Sequence, residues 1–289
     1  MSSRCLEIAP RCARLVGHAL LAGIAFAAVA QATPAPTSTA VQAPLRVCAD
    51  PDNLPFSHAD GSGFENRIAR LAADELKRPL VTFWWPQRRG LVRKTLDAGA
   101  CDVLIGVPAD FDRVLATTPY YRSSYVFVTR GDDAAPLRSF ADPRLVQLRV
   151  GVQLVGNDLA ATPPGHALAQ RGATQHVVGF TIYGDGPAAE RMLRALSERQ
   201  LDAALVWGPQ AGYFARHAHT PMRLSAATAP PGLPLPFEFA IAMGVRRGDT
   251  ALRDALNGVI ERRRADIDAI LAQYGVPRTD RDAATEPAR

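Results

Sequence analysis

LRVCADPDNLPFS, Leu45 to Ser57, runs from a short apolar strand into a proline-broken loop, and GFENRIARLAADEL, Gly63 to Leu76, follows it with the texture of a helix. Leu45-Arg46-Val47-Cys48-Ala49 is apolar enough to be buried on both faces, as parallel strands are. Pro51 and Pro55 prevent it from continuing, so the chain leaves the sheet at the strand's carboxyl edge. In open α/β sheets that edge is where ligands bind. Asp50, Asp52, Asn53 and Phe56 therefore stand where recognition is expected.

Strand-like and helix-like segments alternate after Leu45, which predicts parallel sheet covered by helices, an α/β architecture. Strands are expected at Leu45–Ala49, Leu80–Trp84, Asp102–Val107, Tyr125–Thr129, Leu148–Val152, His176–Val178, Ala203–Val206 and Phe239–Val245. Helices are expected at Glu65–Leu76, Gly90–Ala98, Leu159–Arg171, Ala188–Arg199, Pro209–His217 and Thr250–Tyr274. The last has a start signal in Asp249 or Thr250 and a stop in Gly275 and Pro277. Two changes of texture, Gly131-Asp132-Asp133 to Pro143 and Pro230 to Pro236, read as crossings between lobes.

The strand, the Pro-Phe turn and the Gly-Phe-Glu helix start resemble the first unit of a family 3 periplasmic solute-binding protein. FWWPQRRGLVRKTLDAGACDVLIGVPADFDRVLATTPYYRSSYVFVTR, GVQLVGNDLAATPPGHALAQRG and ALVWGPQAGYFA resemble more closely the solute-binding-like proteins associated with quinoprotein alcohol dehydrogenases, the J-type proteins of methanol oxidation. The resemblance runs from about Leu45 to about Pro277. It implies a two-lobed type 2 periplasmic-binding fold with an interlobe cleft, lobe one being 45–130 plus 237–278 and lobe two 140–230. It also implies a binding protein, not an enzyme. As partners it offers a quinoprotein alcohol dehydrogenase with its cytochrome c system or, if the chain is a transport receptor, the permease of an ABC transporter and a small organic solute.

The ends fit such a setting. Arg4, Arg11 and Arg14 precede an apolar stretch from Leu15 to Ala30 and small residues at Ala28, Ala30 and Ala32, the pattern of a cleaved secretory signal over 1–32. Residues 33–44, rich in Pro, Thr and Ala, read as a flexible lead-in, and 279–289 as a disordered tail. Three arginines and Glu7 give the leader a net +2, which leaves +3 of the chain's formal +5 for the secreted part, a periplasmic protein of roughly 250 residues, long enough for two lobes. No basic run interleaved with aromatics points to nucleic acid. Without the leader only Cys48 and Cys101 remain, in an oxidising compartment, and the fold implied by the resemblance makes their strands neighbours. They are either a disulfide or two buried thiols.

A cleft between lobes takes its lining from strand ends. From lobe one these are Asp50, Asn53 and Phe56, then Trp85 and Gln87, then Asp110 and Arg113; from lobe two, Asn157 and Asp158 at a helix start, Tyr183 and Asp185 in the YGDG turn, and Trp207. By resemblance Arg113 stands near the arginine with which amino-acid-binding relatives grip a ligand carboxylate, a task suited to a planar guanidinium. The accompanying Thr is missing from VPADFDR, so Arg113 equally reads as a bridge to Asp110 or Asp112. Those relatives place an Asp for the ligand ammonium where this chain has Trp207-Gly208-Pro209, which argues against a free α-amino acid. Trp207, Trp85, Phe56 and the Tyr120-Tyr121 pair read either as an aromatic cavity or as core. Arg88 and Arg89, in WWPQRRG, are candidates for partner contact. His58, His166, His176, His217 and His219 lack metal-site spacing, and no nucleophile or phosphate-loop motif follows a strand, so no catalytic residue, metal or cofactor is expected. Glu65 and Glu238 are the carboxylates that acid chemistry would use.

Overall fold

The computed structural model describes residues 42–133, 135–155, 160–182 and 186–280. The leader, most of the lead-in and most of the tail lie outside the described residues, as do Asn157, Asp158, Tyr183 and Asp185.

Leu45–Ala49 forms as expected and lies between Leu80–Trp84 and Val103–Pro108, parallel to both. These strands join an eleven-stranded sheet that two long strands run through the middle. Glu238–Val245 pairs antiparallel with Val103–Pro108 on one side and with Tyr121–Arg130 on the other. Tyr121–Arg130 in turn pairs antiparallel with Ala203–Trp207, which leads by parallel pairing to Val150–Val155 and then Val177–Thr181. The sheet is thus mixed, where strand-helix alternation predicts a parallel one. The two long strands carry the chain between halves of the sheet and must run against their neighbours to do so.

Each half has its own apolar core. The first gathers Leu45, Val47, Phe64, Ile68, Val103, Ile105, Tyr120 and Tyr121 with Met243, Leu256, Ile267 and Leu271 from the end of the chain. The second half buries Phe127, Val152, Leu168 and Leu205 on one face and Val128, Met192, Leu196 and Val206 on the other. The outer face of the first half holds Cys48, Val92, Leu96, Leu104 and Val107 around Cys101. Cys48 and Cys101 form a disulfide, their Cα atoms 5.5 Å apart.

Next to it, Asp102 ties together the amino ends of neighbouring strands electrostatically. Its carboxylate accepts from Arg46 Nε at 3.1 Å and from Arg246 Nη2 at 3.0 Å. Burial alone raises its pKa, but hydrogen bonds from both arginines outweigh that and hold it below the ordinary range. The stabilisation this brings is present above the ordinary carboxylate value and is lost as pH falls through the depressed folded value.

The helices expected at Glu65–Leu76, Ala188–Arg199 and Pro209–His217 form within two residues of those bounds, and the other three depart further. The segment expected at Thr250–Tyr274 is two helices, Thr250–Arg262 and Arg264–Gln273. Position 263 falls on the inward stripe of Leu252, Leu256, Val259 and Ile260 but holds an arginine. The chain breaks there, and Arg263 turns to Glu75 at 3.2 Å and Asp266 at 2.6 Å. Gly90–Ala98 is helical only at Leu91–Lys94, because wider bonds from Asp97 N to Val92 O and Ala100 N to Thr95 O unwind the rest. The Leu159–Arg171 helix starts at Pro163, after Ala160–Ala161 has paired with Val150–Val155.

The two halves also meet through their helices. Gly208–His217, of the second half, lies against the turn ending Arg264–Gln273, so closely that a Cβ on Gly212 would lie 1.9 Å from the Gly275 carbonyl oxygen. Tyr213 stacks on Tyr274 at 5.8 Å, and Arg216 Nη1 donates to the Ala272 and Gln273 carbonyls at 3.0 and 3.2 Å. Beyond the turn, Ser123 Oγ donates to Pro277 O at 2.7 Å, tying the chain end to a crossing strand. Among the described residues no helix is long and apolar enough to cross a membrane.

Candidate functional site

The loop after Leu45–Ala49 is held open by its own polar groups. Asp50 accepts from Asp52 N at 2.9 Å and from Gln87 N at 2.5 Å, and Asn53 Nδ2 donates to Gln87 Oε1 at 2.8 Å. Asp50, Asn53 and Gln87 therefore form one brace across the carboxyl ends of two adjacent strands. Phe56, from the same loop, packs edge-on against Phe64 at 5.4 Å and joins the first core.

The remaining expected residues have other neighbours. Trp85 stacks on Phe83, with centroids 6.3 Å apart and planes 6° apart, and Lys94 Nζ lies 5.4 Å above its ring. Trp207 sits between Tyr125 and Phe239, at 5.4 and 5.6 Å, over the crossing strands. Tyr120 and Tyr121 are fully buried core, and the Tyr120 hydroxyl donates to Ile105 O. Of the aromatics grouped by the sequence, Phe56, Tyr120, Tyr121 and Trp207 thus belong to or pack against the first core, and Trp85 stands apart on Phe83. Asp110 is exposed. Arg113 is 56 % exposed and pairs with Asp97 at 3.7 Å, a partner other than Asp110 or Asp112. Asp97 lies in the preceding turn, which sequence proximity alone does not bring to mind.

One group outside the expected lining stands out by its surroundings. Glu65 is the second residue of Phe64–Glu75, and that start is fixed: Phe64 N and Glu65 N donate to Pro55 O and Phe56 O, both at 2.8 Å. Its carboxyl lies against the bare Cα of Gly106, on the carboxyl half of Val103–Pro108, where a Cβ would come within 1.9 Å of Oε1. Loss of hydration pushes its pKa up to about 8. The sequence offers Glu65 only as a carboxylate for acid chemistry and not as part of the lining, because an acid in a first helical turn is ordinary; the glycine in a strand was the available signal for its burial.

The raised value has a testable sign. Between its ordinary pKa and about 8, Glu65 binds more protons folded than unfolded, so stability is lost as pH rises through that window. Thermal melting from about pH 5 to about pH 9 is expected to fall more steeply in the wild type than in Glu65→Gln. Parallel profiles would contradict the assignment.

Among the described residues no group of His, Cys, Asp or Glu is placed to hold a metal ion. What the geometry defines is a two-lobed α/β binding protein, with polar and aromatic groups at strand ends. The profile of the bacterial extracellular solute-binding proteins, family 3, matches residues 45–277, and the chain belongs to that family, within the group that includes MoxJ. MoxJ of Methylorubrum extorquens AM1 is 34 % identical over 278 residues, covering 89 % of this chain and 90 % of MoxJ. The crystal structure of the periplasmic binding protein XoxJ from Methylobacterium extorquens AM1 is 37 % identical, with a TM-score of 0.68, over 81 % of this chain and 98 % of XoxJ. The MxaJ crystal structure, from Methlophaga aminisulfidivorans MPT, has a TM-score of 0.72 at 24 % identity over 81 % of this chain and 99 % of MxaJ, a likeness of fold.

Proposed function

We propose that the chain is a periplasmic accessory protein of a quinoprotein alcohol dehydrogenase system, exported by its leader, which binds the dehydrogenase and assists its maturation or activation without catalysis of its own. The observation that carries this reading is the similarity to MoxJ along nearly the whole of both chains. It includes the WWPQRRG segment quoted above, from which Arg88 and Arg89 are exposed beside the stacked Phe83 and Trp85, with Arg93 and Lys94 exposed in the next turn. Four cations beside flat aromatic surface suit an acidic face on the partner, with arginine and tryptophan supplying most of the contact energy. Lobe one, 45–130 plus 237–278, presents this patch, and lobe two, 140–230, completes the cleft.

The test is affinity capture of the tagged mature protein from methanol-grown periplasm, with dehydrogenase activity assayed in a deletion strain. A quinoprotein dehydrogenase in the captured fraction, and reduced activity in the deletion, are expected. Arg88→Glu with Arg89→Glu is expected to weaken capture at least about tenfold, equivalent to about 1.4 kcal/mol. Capture without any dehydrogenase, together with unchanged activity, would remove the reading.

A further inference from the structure

Glu65 has no cation and no hydrogen-bond donor for its carboxyl among the described residues, although it is half-buried. Groups of this kind are normally paired, because a desolvated carboxylate is costly on its own. Here the position is built, not incidental. Asn66 Oδ1 accepts from Gly63 N at 3.1 Å and from His58 N at 2.9 Å, which locks the loop onto the helix start, while Gly106 supplies the space that the carboxyl occupies. The place is the carboxyl end of the sheet's strands, where this class of fold receives its ligand.

The chemistry of the missing partner follows from what surrounds the acid. A ligand cation would supply the charge that the protein withholds. A ligand carboxylate has no counterpart in Arg113, which is exposed and bridged to Asp97 at 3.7 Å. We propose that Glu65 anchors a binding site for a small organic amine that lacks a carboxylate, held through its ammonium group. This does not depend on the dehydrogenase partnership, since it concerns the surroundings of Glu65 alone.

Binding then releases a proton at neutral pH, because the free carboxyl is largely protonated below about 8. Tyr120 and Tyr121 are the titratable side chains that interact with it, and burial raises both well above the ordinary tyrosine value, so they stay neutral throughout the range. Affinity is expected to rise about tenfold from about pH 7 to about pH 9, following the ionised fraction of Glu65.

The experiment is calorimetry of the mature protein with n-butylamine and 1,4-diaminobutane, with 1-butanol and butyrate as shape-matched controls, at both pH values and in two buffers of different ionisation enthalpy. Binding of an amine with proton release at the lower pH, no binding of the controls, and loss of binding in Glu65→Gln are expected. The glutamine variant keeps the shape and removes the desolvated charge, and Glu238→Gln serves as a surface control. Should Glu65→Gln not fold, proton release by the wild type decides alone. Absence of amine binding at the higher pH, equal binding of 1-butanol, binding without proton release, or a folded Glu65→Gln that binds like the wild type overturns the proposal.

Discussion

Removing the disulfide with Cys48→Ala and Cys101→Ala is expected to lower the unfolding free energy by about 4 kcal/mol. The two cysteines are separated by 53 residues. Closing a loop of that length in the unfolded chain removes much of its freedom, and the loss no longer opposes folding once the bond exists. Alanine is the appropriate replacement because both positions are buried among Val92, Leu96, Leu104 and Val107, where a serine hydroxyl would find apolar neighbours. Urea unfolding under non-reducing conditions measures the effect. A change below about 1 kcal/mol would show that neighbouring strand pairing, at Val47 with Val103 and Cys48 with Leu104, restrains the unfolded chain little less than the bond does.

Gly212→Ala should lower stability by about 3 kcal/mol, and here the sign itself is the test. Helix propensity alone predicts the opposite, a gain of about 0.5–1 kcal/mol for alanine inside Gly208–His217. The new methyl, however, would lie 1.9 Å from the Gly275 carbonyl oxygen and 2.9 Å from its carbonyl carbon. Both are backbone, and Gly275 has little room to retreat: it ends the preceding helix at φ 70 with its N–H on Ala272 O, and Pro277 lies 3.1 Å from the added carbon on the same side. Gly172→Ala is the companion measurement. Its φ of 68 strains any side chain, yet nothing lies within 4 Å of the added carbon, so only about 1 kcal/mol is expected. If the two variants unfold at the same urea concentration, the close contact between the halves is not what Gly212 provides.

Much of the fold was legible because it rests on local rules. Leu45–Ala49 and Leu80–Trp84 form with the bounds that apolar runs and prolines predict, and Asp249, one of two candidate caps, accepts from Leu252 N at 3.2 Å. Met222–Ala226 was not expected, since five residues of mixed character carry a weak signal; its alternation of Met222 and Leu224 acquires meaning only by pairing with the far end of Tyr121–Arg130. The break at Arg263 was hidden for a related reason. Propensity favours arginine in a helix, and the constraint comes from Glu75 on another helix. At the candidate site, Asp50, Asn53 and Gln87 were readable as strand-end residues, and their mutual bonds follow from strand adjacency. The pairing of Arg113 with Asp97 and the desolvation of Glu65 were not readable, because each depends on a neighbour fixed by the tertiary fold.

The buried residues of the first core come from two stretches far apart in the chain, 45–121 and 241–276, whereas the buried residues of the second half's cores all lie between Val126 and Phe237. A polypeptide delivered amino end first can therefore complete its middle portion while its opening strands still lack their cover. Val47, Phe64, Ile68 and Ile105 remain open to solvent until Met243, Leu256 and Leu271 arrive. That interval is when such a chain is most exposed to aggregation or to a protease. Nascent chains stopped before Phe239 should bind a folding helper that the finished molecule no longer attracts.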